Sequence, residues 1–189
     1  MAYFSSSDGN LTDVFLTEYD LIDSSMAGTI YVTGAPGEGS FGDNGSTSFN
    51  KSTHMQNVGG AVWTQVTGAD RFIAGIRFDG SLWTWGSNAY GQLGDNALIS
   101  VSSPVQTISR GTDWKKVQAG GSTFENFCLA IKTNGTLWTW GYNNFGQLGD
   151  NTATNKSSPV QTVAGGNNWK QVSAGTHFAA GLRSNWRYI

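Results

Sequence analysis

The chain has 189 residues, of which only 13% are charged, and its formal net charge at pH 7 is −2. This balance argues against binding to nucleic acid, because contacts to phosphates need clustered Lys and Arg side chains. The 26 glycines, eight tryptophans and single cysteine exclude a disordered chain and a fold held by intrachain disulfides, and they favour short strands joined by tight turns.

The first 27 residues match no repeat of the chain and contain neither the basic nor the apolar segment of a secretory signal. No apolar run approaches the ~18 residues of a membrane-spanning helix, so we expect no membrane span. We interpret residues 1–27 as an attachment segment of a protein that is made in a cytoplasm. The candidate residues for an assembly interface are Tyr3, Phe4, Phe15, Tyr19, Trp186, Tyr188 and Ile189.

One sequence of 17 residues occurs almost unchanged twice, 55 residues apart. "GSLWTWGSNAYGQLGDN" begins at Gly80 and "GTLWTWGYNNFGQLGDN" begins at Gly135, while a degenerate copy, "GTIYVTGAPGEGSFGDN", begins at Gly28. A period of 51–55 residues predicts a repeat architecture, and a propeller blade of four strands needs ~40–50 residues. We assign the repeat region to residues 28–189, with a degenerate copy at 28–79, strong copies at 80–134 and 135–185, and a truncated end at 186–189.

Four short segments of each repeat have the composition of β-strands. In the first complete repeat they are "AVWTQV", "RFIAGIRF", "SLWTW" and "SPVQTI", which are rich in β-branched and aromatic residues and are separated by turn residues. The pairs Asp79-Gly80 and Asn134-Gly135 predict tight two-residue hairpin turns. We therefore predict an all-β chain of about three β-propeller blades, each a four-stranded antiparallel sheet, as a partial propeller or as a ring completed by oligomerisation.

Tryptophans recur at fixed positions of the repeat. Alternation along a strand places Trp83 and Trp85 on one face of their sheet, opposite to Leu82 and Thr84. Indoles on such a face would fill the space between neighbouring sheets. We therefore predict a blade-packing core that consists of Trp63, Trp83, Trp85, Trp114, Trp138, Trp140 and Trp169.

No arrangement of residues in the sequence indicates an enzyme. Asp43, Asp95 and Asp150 recur in "GDN", where we expect them to accept backbone hydrogen bonds in turns. His177 is interpreted as a structural or surface residue, and Cys128, in the apolar run "NFCLAI", as a buried hydrophobe. The sequence has no phosphate-binding loop, dinucleotide fingerprint or nucleophile elbow, and we expect neither a cofactor nor a metal.

The pattern "LWTWGxNxxGQLGDN…SSPVQT…WxxVxAG" resembles the repeat of the regulator of chromosome condensation family. The resemblance extends from about Gly28 to Arg183 and implies blades of a β-propeller, which in that family has seven blades. A segment of about three blades has an open blade face at each end, and soluble monomers rarely expose such apolar faces. Two chains could close one ring, other proteins could cap the segment, or the chain could belong to a longer product. Of these we expect oligomerisation or capping, so that the partners are proteins.

We expect a non-enzymatic structural or protein-binding module. The nearly uncharged repeats, rich in Asn, Ser and Thr, resemble repeats of this family from bacteriophages and environmental bacteria. This resemblance implies a virion component, such as a capsid decoration, tail or fibre-associated protein, that is made in the host cytoplasm. The alternative is a soluble cytoplasmic propeller module that recognises or inhibits a protein partner through its loop face. A further alternative, a guanine-nucleotide exchange factor, requires a complete ring and a dedicated wedge that this sequence lacks.

Overall fold

The computed structural model describes residues 13–18, 28–34, 51–56 and 61–184. Their secondary structure consists of β-strands and turns without a helix, which confirms the prediction of an all-β fold. The strands are β1 (Asp13–Glu18), β2 (Gly28–Gly34), β3 (Lys51–Gln56), β4 (Trp63–Ala69), β5 (Phe72–Arg77), β6 (Leu82–Gly86), β7 (Val101–Gln106), β8 (Trp114–Gly120), β9 (Phe127–Lys132), β10 (Leu137–Gly141), β11 (Lys156–Gln161), β12 (Trp169–Ala174) and β13 (Ala179–Arg183).

Strands β4 to β7 and β8 to β11 form two complete blades. Within each blade, consecutive strands pair antiparallel, so that the order in the sheet is the order along the chain. This is the arrangement expected when hairpins follow one another in series. The prediction of four-stranded antiparallel blades is confirmed for both sheets.

Incomplete sheets flank the two blades. β2 pairs with β1 on one side and with β3 on the other, and a single pair, Gly28 with Trp63, joins β2 to β4. β12 and β13 pair with each other as a two-stranded sheet. By repeat position, β2 and β3 are the third and fourth strands of a blade, whereas β12 and β13 are the first and second. β1 belongs to the segment that we interpreted as an attachment segment, and in the structure it is a strand of this sheet.

The sheets and the copies of the sequence are out of phase. The two complete blades begin at Trp63 and Trp114, whereas the strong copies of the sequence begin at Gly80 and Gly135. Sequence identity is highest in the third strand and in the loop that follows it, so a comparison of the chain with itself finds these parts first. Each strong copy therefore spans the last two strands of one blade and the first two strands of the next.

The turn between the second and third strands differs from the predicted two-residue hairpin. The Arg77 amide donates a hydrogen bond of 2.9 Å to the carbonyl oxygen of Ser81, which closes a loop of three residues. Gly80 has a φ of +79°, but Asp79 is not in the positive region, and a type I′ turn needs positive φ at both central positions. Asp79 instead accepts a hydrogen bond of 2.9 Å from the Ser81 amide. The second blade repeats this loop, with a φ of +79° at Gly135.

Apolar side chains fill the space between adjacent sheets. Strand alternation turns Phe72, Ala74 and Ile76 of the first blade toward the second. There they pack in one cluster with Trp114 and Trp140. A similar cluster joins the second blade to β12, and another joins β2 to the first blade. Each sheet is therefore stabilised by its neighbours in the chain, as in other repeat proteins.

Candidate protein-binding surfaces

Polar side chains fix the first blade to the second. Gln65 on β4 makes two hydrogen bonds to the backbone of Val117 on β8. Its Nε2 donates to the Val117 carbonyl oxygen at 2.8 Å, and its Oε1 accepts from the Val117 amide at 3.0 Å. The amide of Ala119 donates to Oγ1 of Thr67 at 3.1 Å. Because these groups would lose their partners if the blades moved apart, they set the register of one blade on the next.

A buried asparagine holds the loop after each third strand. In the first blade, Nδ2 of Asn88 donates to the carboxylate of Asp95 and to the carbonyl oxygens of Ala97 and Ile99, each at 3.2 Å. Oδ1 of Asn88 accepts from the Leu93 amide at 3.0 Å. The Ala97 amide also donates to Asp95, at 3.0 Å, which confirms the prediction that this aspartate accepts local hydrogen bonds in a turn.

Asp150 has the corresponding position in the second blade. Its Oδ1 accepts from Asn143 Nδ2 at 3.1 Å and from the Thr152 amide at 3.0 Å, and Lys156 Nζ lies 3.3 Å from its Oδ2. Desolvation acts to raise the pKa of Asp150, but the hydrogen bonds outweigh it, so that this pKa lies below its ordinary value. The third aspartate of the pattern, Asp43, lies outside the described residues.

The second indole of a third strand is the central packing element between blades. Trp140 is fully buried, and its Nε1 donates a hydrogen bond of 2.9 Å to the carbonyl oxygen of Gln92 in the preceding blade. The ring packs on Gly94, where an added Cβ would lie 2.7 Å from Nε1. Trp114 lies beside it, with ring centroids 6.2 Å apart. A carbonyl oxygen, a glycine and a neighbouring indole thus form a binding site for one tryptophan ring.

A groove lies at the corresponding place between the second blade and β12–β13. Its volume is about 340 Å³. Gln147 and Gly149 stand at the repeat positions of Gln92 and Gly94, but Gly149 is exposed, and the nearest atom to a Cβ added there is a methyl carbon 4.0 Å away. Nε2 of Gln147 is buried and has no hydrogen-bond partner in the described part of the chain. We call this site the β10–β13 groove, and its lining residues include Leu137, Gln147, Leu148, Gly149, Trp169 and Ala179.

Family models identify the repeat. The regulator of chromosome condensation (RCC1) repeat matches residues 79–124 and 134–182, which together make up half of the chain. A second description of the same repeat matches residues 63–92 and 114–147. The chain belongs to the RCC1 repeat family.

Solved structures of RCC1 β-propellers share the fold of this chain. One is the crystal structure of Prp20p from Saccharomyces cerevisiae, described with its binding properties to Gsp1p and histones. The two structures superpose with a TM-score of 0.69 over 84% of this chain and 40% of the Prp20p chain, and the sequences are 16% identical. A second structure is that of yeast RCC1 (Prp20) bound to Kap60. It superposes with a TM-score of 0.63 over 82% of this chain and 36% of the RCC1 chain, and the sequences are 20% identical. These similarities confirm the propeller fold and are consistent with a partial propeller.

Curated RCC1-type relatives are much longer than this chain. E3 ubiquitin-protein ligase HERC2 from Homo sapiens is 28% identical over 135 residues, which are 70% of this chain and 3% of the relative. Protein RCC2 homolog from Danio rerio is 32% identical over 105 residues, 55% of this chain and 21% of the relative. Ultraviolet-B receptor UVR8 from Arabidopsis thaliana is 29% identical over 107 residues, 57% of this chain and 24% of the relative. The chain therefore spans less than a quarter of the length of these relatives.

Each RCC1 blade places a cation against its tryptophans. The Arg77 guanidinium lies 3.5 Å from the ring centroid of Trp83, and Lys132 Nζ lies 5.3 Å from that of Trp138. Arg183 has the same repeat position and lies 4.0 Å from the ring centroid of Trp169 on β12. No third strand follows β13 in the described part of the chain, so this guanidinium stacks on a first-strand tryptophan only.

The last described sheet has an exposed apolar face. Phe178 and Leu182 are 65% and 60% exposed. Their equivalents in the first RCC1 blade, Phe72 and Ile76, are buried against the second blade. Gln171, which stands at the position of the glutamine that bridges the two complete blades, is also exposed. We call this surface the β13 face and define it by Gln171, Phe178, Ala180 and Leu182.

Aromatic side chains form a continuous row across the loops of the RCC1 blades. The ring of Phe145, which is 63% exposed, lies 4.5 Å from that of His177 and 6.1 Å from that of Tyr142. Tyr90 lies 4.9 Å from Tyr142, and Nε2 of His177 lies 3.3 Å from Oε2 of Glu125. Desolvation and then the Glu125 carboxylate raise the pKa of the Tyr142 phenol. We call Tyr90, Tyr142, Phe145 and His177 the aromatic loop surface.

The predicted blade-packing tryptophans differ in burial. Trp169 is half-buried, whereas its equivalents Trp63 and Trp114 are buried beside Trp85 and Trp140. The difference arises because no third-strand indole lies next to Trp169 among the described residues. The buried members are Trp63, Trp85, Trp114 and Trp140, and the half-buried members are Trp83, Trp138 and Trp169.

The predicted assembly-interface residues are not positioned by the described structure. Phe15 lies in β1, whose side chains are not described, and the remaining six lie outside the described residues: Tyr3, Phe4, Tyr19, Trp186, Tyr188 and Ile189. Sequence reasoning indicated open blade faces but did not name the residues of the β13 face. Alignment of Phe178 with Phe127 on the repeat could have found them, because a core position is exposed where no further described sheet packs on it.

Among the described residues, the side chains that could ligate a metal are not gathered at one place. In these ranges, no group of three or more His, Cys, Asp or Glu side chains is placed to hold a metal ion. Cys128 is fully buried, and burial raises the pKa of its thiol, so the nucleophilic thiolate is disfavoured. The same ranges contain no helix with the length and apolar character needed to cross a membrane.

Proposed function

We propose that this chain is a non-catalytic structural module that binds proteins through the open end of its propeller segment, as a component of a larger particle such as a virion. The β13 face carries this proposal. Phe178 and Leu182 are exposed there, although the equivalent residues are buried in both complete blades. The binding of Gsp1p and histones by Prp20p, a protein of the same fold, supports a protein-binding role.

The chemistry of the β13 face favours association. Burying a Phe or Leu side chain fully is worth about 1.5–3 kcal/mol each. The first blade shows how such a face is covered, because its equivalent residues Phe72 and Ile76 pack against the second blade at Trp114. A protein with a comparable sheet surface would cover the β13 face, and Gln171 could bond to its backbone as Gln65 bonds to β8.

The solution mass of the purified chain tests this proposal. Light scattering coupled to size exclusion should give a mass above that of one chain, rising with concentration. The double variant Phe178→Asp/Leu182→Asp should have the mass of one chain. The control Phe78→Asp/Leu98→Asp changes the same residue types at 65% and 63% exposure, away from the β13 face, and should behave as the wild type. A wild-type monomer at every concentration, or equal effects of both double variants, contradicts the proposal.

The virion part of the proposal has its own support and its own test. Low charge, abundant polar uncharged residues and nearly identical repeats suit a repeated part of a particle surface. Mass spectrometry of particles purified on a density gradient, from a culture that produces the chain, should detect it in constant proportion to the capsid protein. Recovery of the chain only from the soluble cytoplasmic fraction contradicts a virion role and leaves the protein-binding role in place.

The aromatic loop surface favours a second candidate function, a soluble module that recognises a protein partner through its loops. Phe145 is exposed, its ring lies 4.5 Å from that of His177 at an interplanar angle of 51°, and exposed aromatic side chains commonly provide much of the binding energy at interfaces. In that case Phe145→Ala should weaken partner binding while the mass in solution stays that of the wild type. Phe78→Ala is the matched control. Loss of binding with Phe178→Asp and not with Phe145→Ala contradicts this second function.

A further inference from the structure

We infer that the β10–β13 groove binds, from a separate polypeptide, an extended strand with the pattern Trp-x-Trp. This inference rests on the proposed protein-binding function and names the chemistry of the partner. The strand would pair with the open edge of β13. Its second indole would enter the groove, and its first would stack on Arg183.

The open edge of β13 is the first part of the site. In the complete blades, the second strand pairs on one side with the first strand and on the other with the third, so β5 pairs with β6 and β9 pairs with β10. Among the described residues, β13 pairs with β12 alone. Its other edge therefore offers backbone groups to an added strand, and such strand addition is a common mode of peptide recognition.

The register of the complete blades determines where the indoles of the added strand would lie. Trp85 pairs with Ile73, and Trp140 pairs with Cys128. The equivalent residue of β13 is Ala179, which lines the groove. An antiparallel strand in this register places its second tryptophan opposite Ala179, at the mouth of the groove.

The groove has the groups that hold an indole elsewhere in the chain. Trp140 donates to the carbonyl oxygen of Gln92 and packs on Gly94. The groove presents Gln147 and Gly149 at the same repeat positions, with space over the glycine. Among the described residues, the buried Nε2 of Gln147 has no acceptor, whereas its equivalent, Nε2 of Gln92, donates to the carbonyl oxygen of Phe124 at 3.3 Å. The groove therefore lacks a hydrogen-bond acceptor that the complete blades contain.

Arg183 offers a stacking surface for the first tryptophan of the pattern. The cations of the complete blades lie against a third-strand tryptophan, at 3.5 Å for Arg77 with Trp83 and 5.3 Å for Lys132 with Trp138. Arg183 has an indole on the β12 side only in the described part of the chain. An incoming indole would complete the stack around its guanidinium.

A second copy of this chain does not supply the pattern. Its β2 has the repeat position of a third strand, but the two indole positions hold Tyr31 and Thr33. The two third strands that carry the pattern, β6 and β10, are already paired within their own blades. The chemistry therefore points to a different polypeptide with a strand of this repeat type.

A peptide with the sequence of residues 133–144, extended by lysines for solubility, is the probe. Isothermal titration against the full chain should show saturable binding of one peptide per chain. Replacing the two peptide residues that correspond to Trp138 and Trp140 with Ala should weaken binding at least about tenfold. Hydrogen exchange should slow at the β13 amides when the peptide is bound. These readouts use the wild-type chain and do not depend on the folding of a variant.

Two variants of the chain test whether the peptide binds in the β10–β13 groove. Ala179→Trp should fill the groove and abolish peptide binding, whereas Ala153→Trp, which adds an indole at an exposed loop residue, should leave it unchanged. The inference is overturned if no peptide binds, or if the peptide without its tryptophans binds equally well. If the wild type then still associates through Phe178 and Leu182, the proposed function stands without this inference. A homodimer that Ala179→Trp abolishes shows that a second copy occupies the groove and also overturns the inference.

Discussion

Nε1 of Trp140 donates a hydrogen bond of 2.9 Å to the carbonyl oxygen of Gln92, which lies 48 residues earlier, in the preceding blade. The contact between blades therefore joins residues that are nearly one repeat apart. The repeat recurs at β12 and β13, where no third-strand indole lies among the described residues. Equivalent residues of the complete blades and of this sheet therefore provide internal controls. They share a residue type and a backbone conformation but differ in their neighbours.

Gly94 and Gly149 form the first such pair. Both have positive φ, at +65° and +62°, so Ala costs similar backbone strain at each, about 1–2 kcal/mol. A Cβ at Gly94 would also lie 2.7 Å from Nε1 of Trp140, whereas Gly149 has space. We expect Gly94→Ala to lower the free energy of unfolding by about 1–3 kcal/mol more than Gly149→Ala, measured by urea denaturation. Equal losses would show that the indole does not pack on Gly94 in solution.

Gln65 and Gln171 form the second pair. Gln65 makes two hydrogen bonds to the backbone of Val117 between blades, whereas Gln171 is exposed. Gln65→Ala leaves the Val117 groups without these partners and should lower the free energy of unfolding by about 1–3 kcal/mol. Gln171→Ala should change it by less than about 0.5 kcal/mol. A loss for Gln171→Ala as large as that for Gln65→Ala is the contrary result.

The two tryptophans of β10 should differ in their contribution to stability. Trp140 is fully buried, and Trp138 is half-buried. Trp140→Ala should cost about 3–5 kcal/mol, because it removes the hydrogen bond to Gln92 and leaves a cavity between the blades. Trp138→Ala should cost clearly less. The comparison is made by chemical denaturation followed by circular dichroism, and a reversed order would contradict the assigned packing.

Cys128 should make stability depend on alkaline pH. Burial raises the pKa of its thiol in the folded chain, so above the ordinary thiol pKa of about 8.5 the unfolded chain loses a proton that the folded chain retains. The stability that the neutral, buried thiol contributes is fully present below that pH and is lost progressively as the pH rises above it. Urea denaturation at pH 7 and pH 10 should therefore show a larger loss for the wild type than for Cys128→Ala. Identical losses contradict the burial of the thiol.

The sequence predicted the blades correctly but not the geometry of the turn at Asp79. The repeat period and the strand composition predicted the blades, and the alternation of Trp83 and Trp85 predicted their packing face, because the pleat determines which side chains share a face. The turn at Asp79 was predicted as a two-residue hairpin and is a loop of three residues, since the Asp79 side chain caps the Ser81 amide and only Gly80 takes positive φ. Residue types alone do not distinguish these two closures.

Whether a residue belongs to a candidate surface depends on whether another sheet packs on it, and not on its residue type. Phe127 and Phe178 are the same residue at the same repeat position, yet one is buried and the other is 65% exposed. Gly94 and Gly149 also share a repeat position, and Gly94 is buried whereas Gly149 is exposed. A local pattern cannot reveal this contrast, because the difference lies in whether another sheet packs on the position.

The phase shift between sheets and sequence copies has a consequence for the gene. Deleting the codons for residues 80–134 would join Asp79 directly to Gly135 and restore an intact Asp-Gly turn. The fused chain would pair β5 with β10 across the join and would retain a complete sheet of β4, β5, β10 and β11. A deletion or duplication of one sequence copy can therefore remove or add one whole blade without cutting a strand, so that each remaining sheet keeps its four strands.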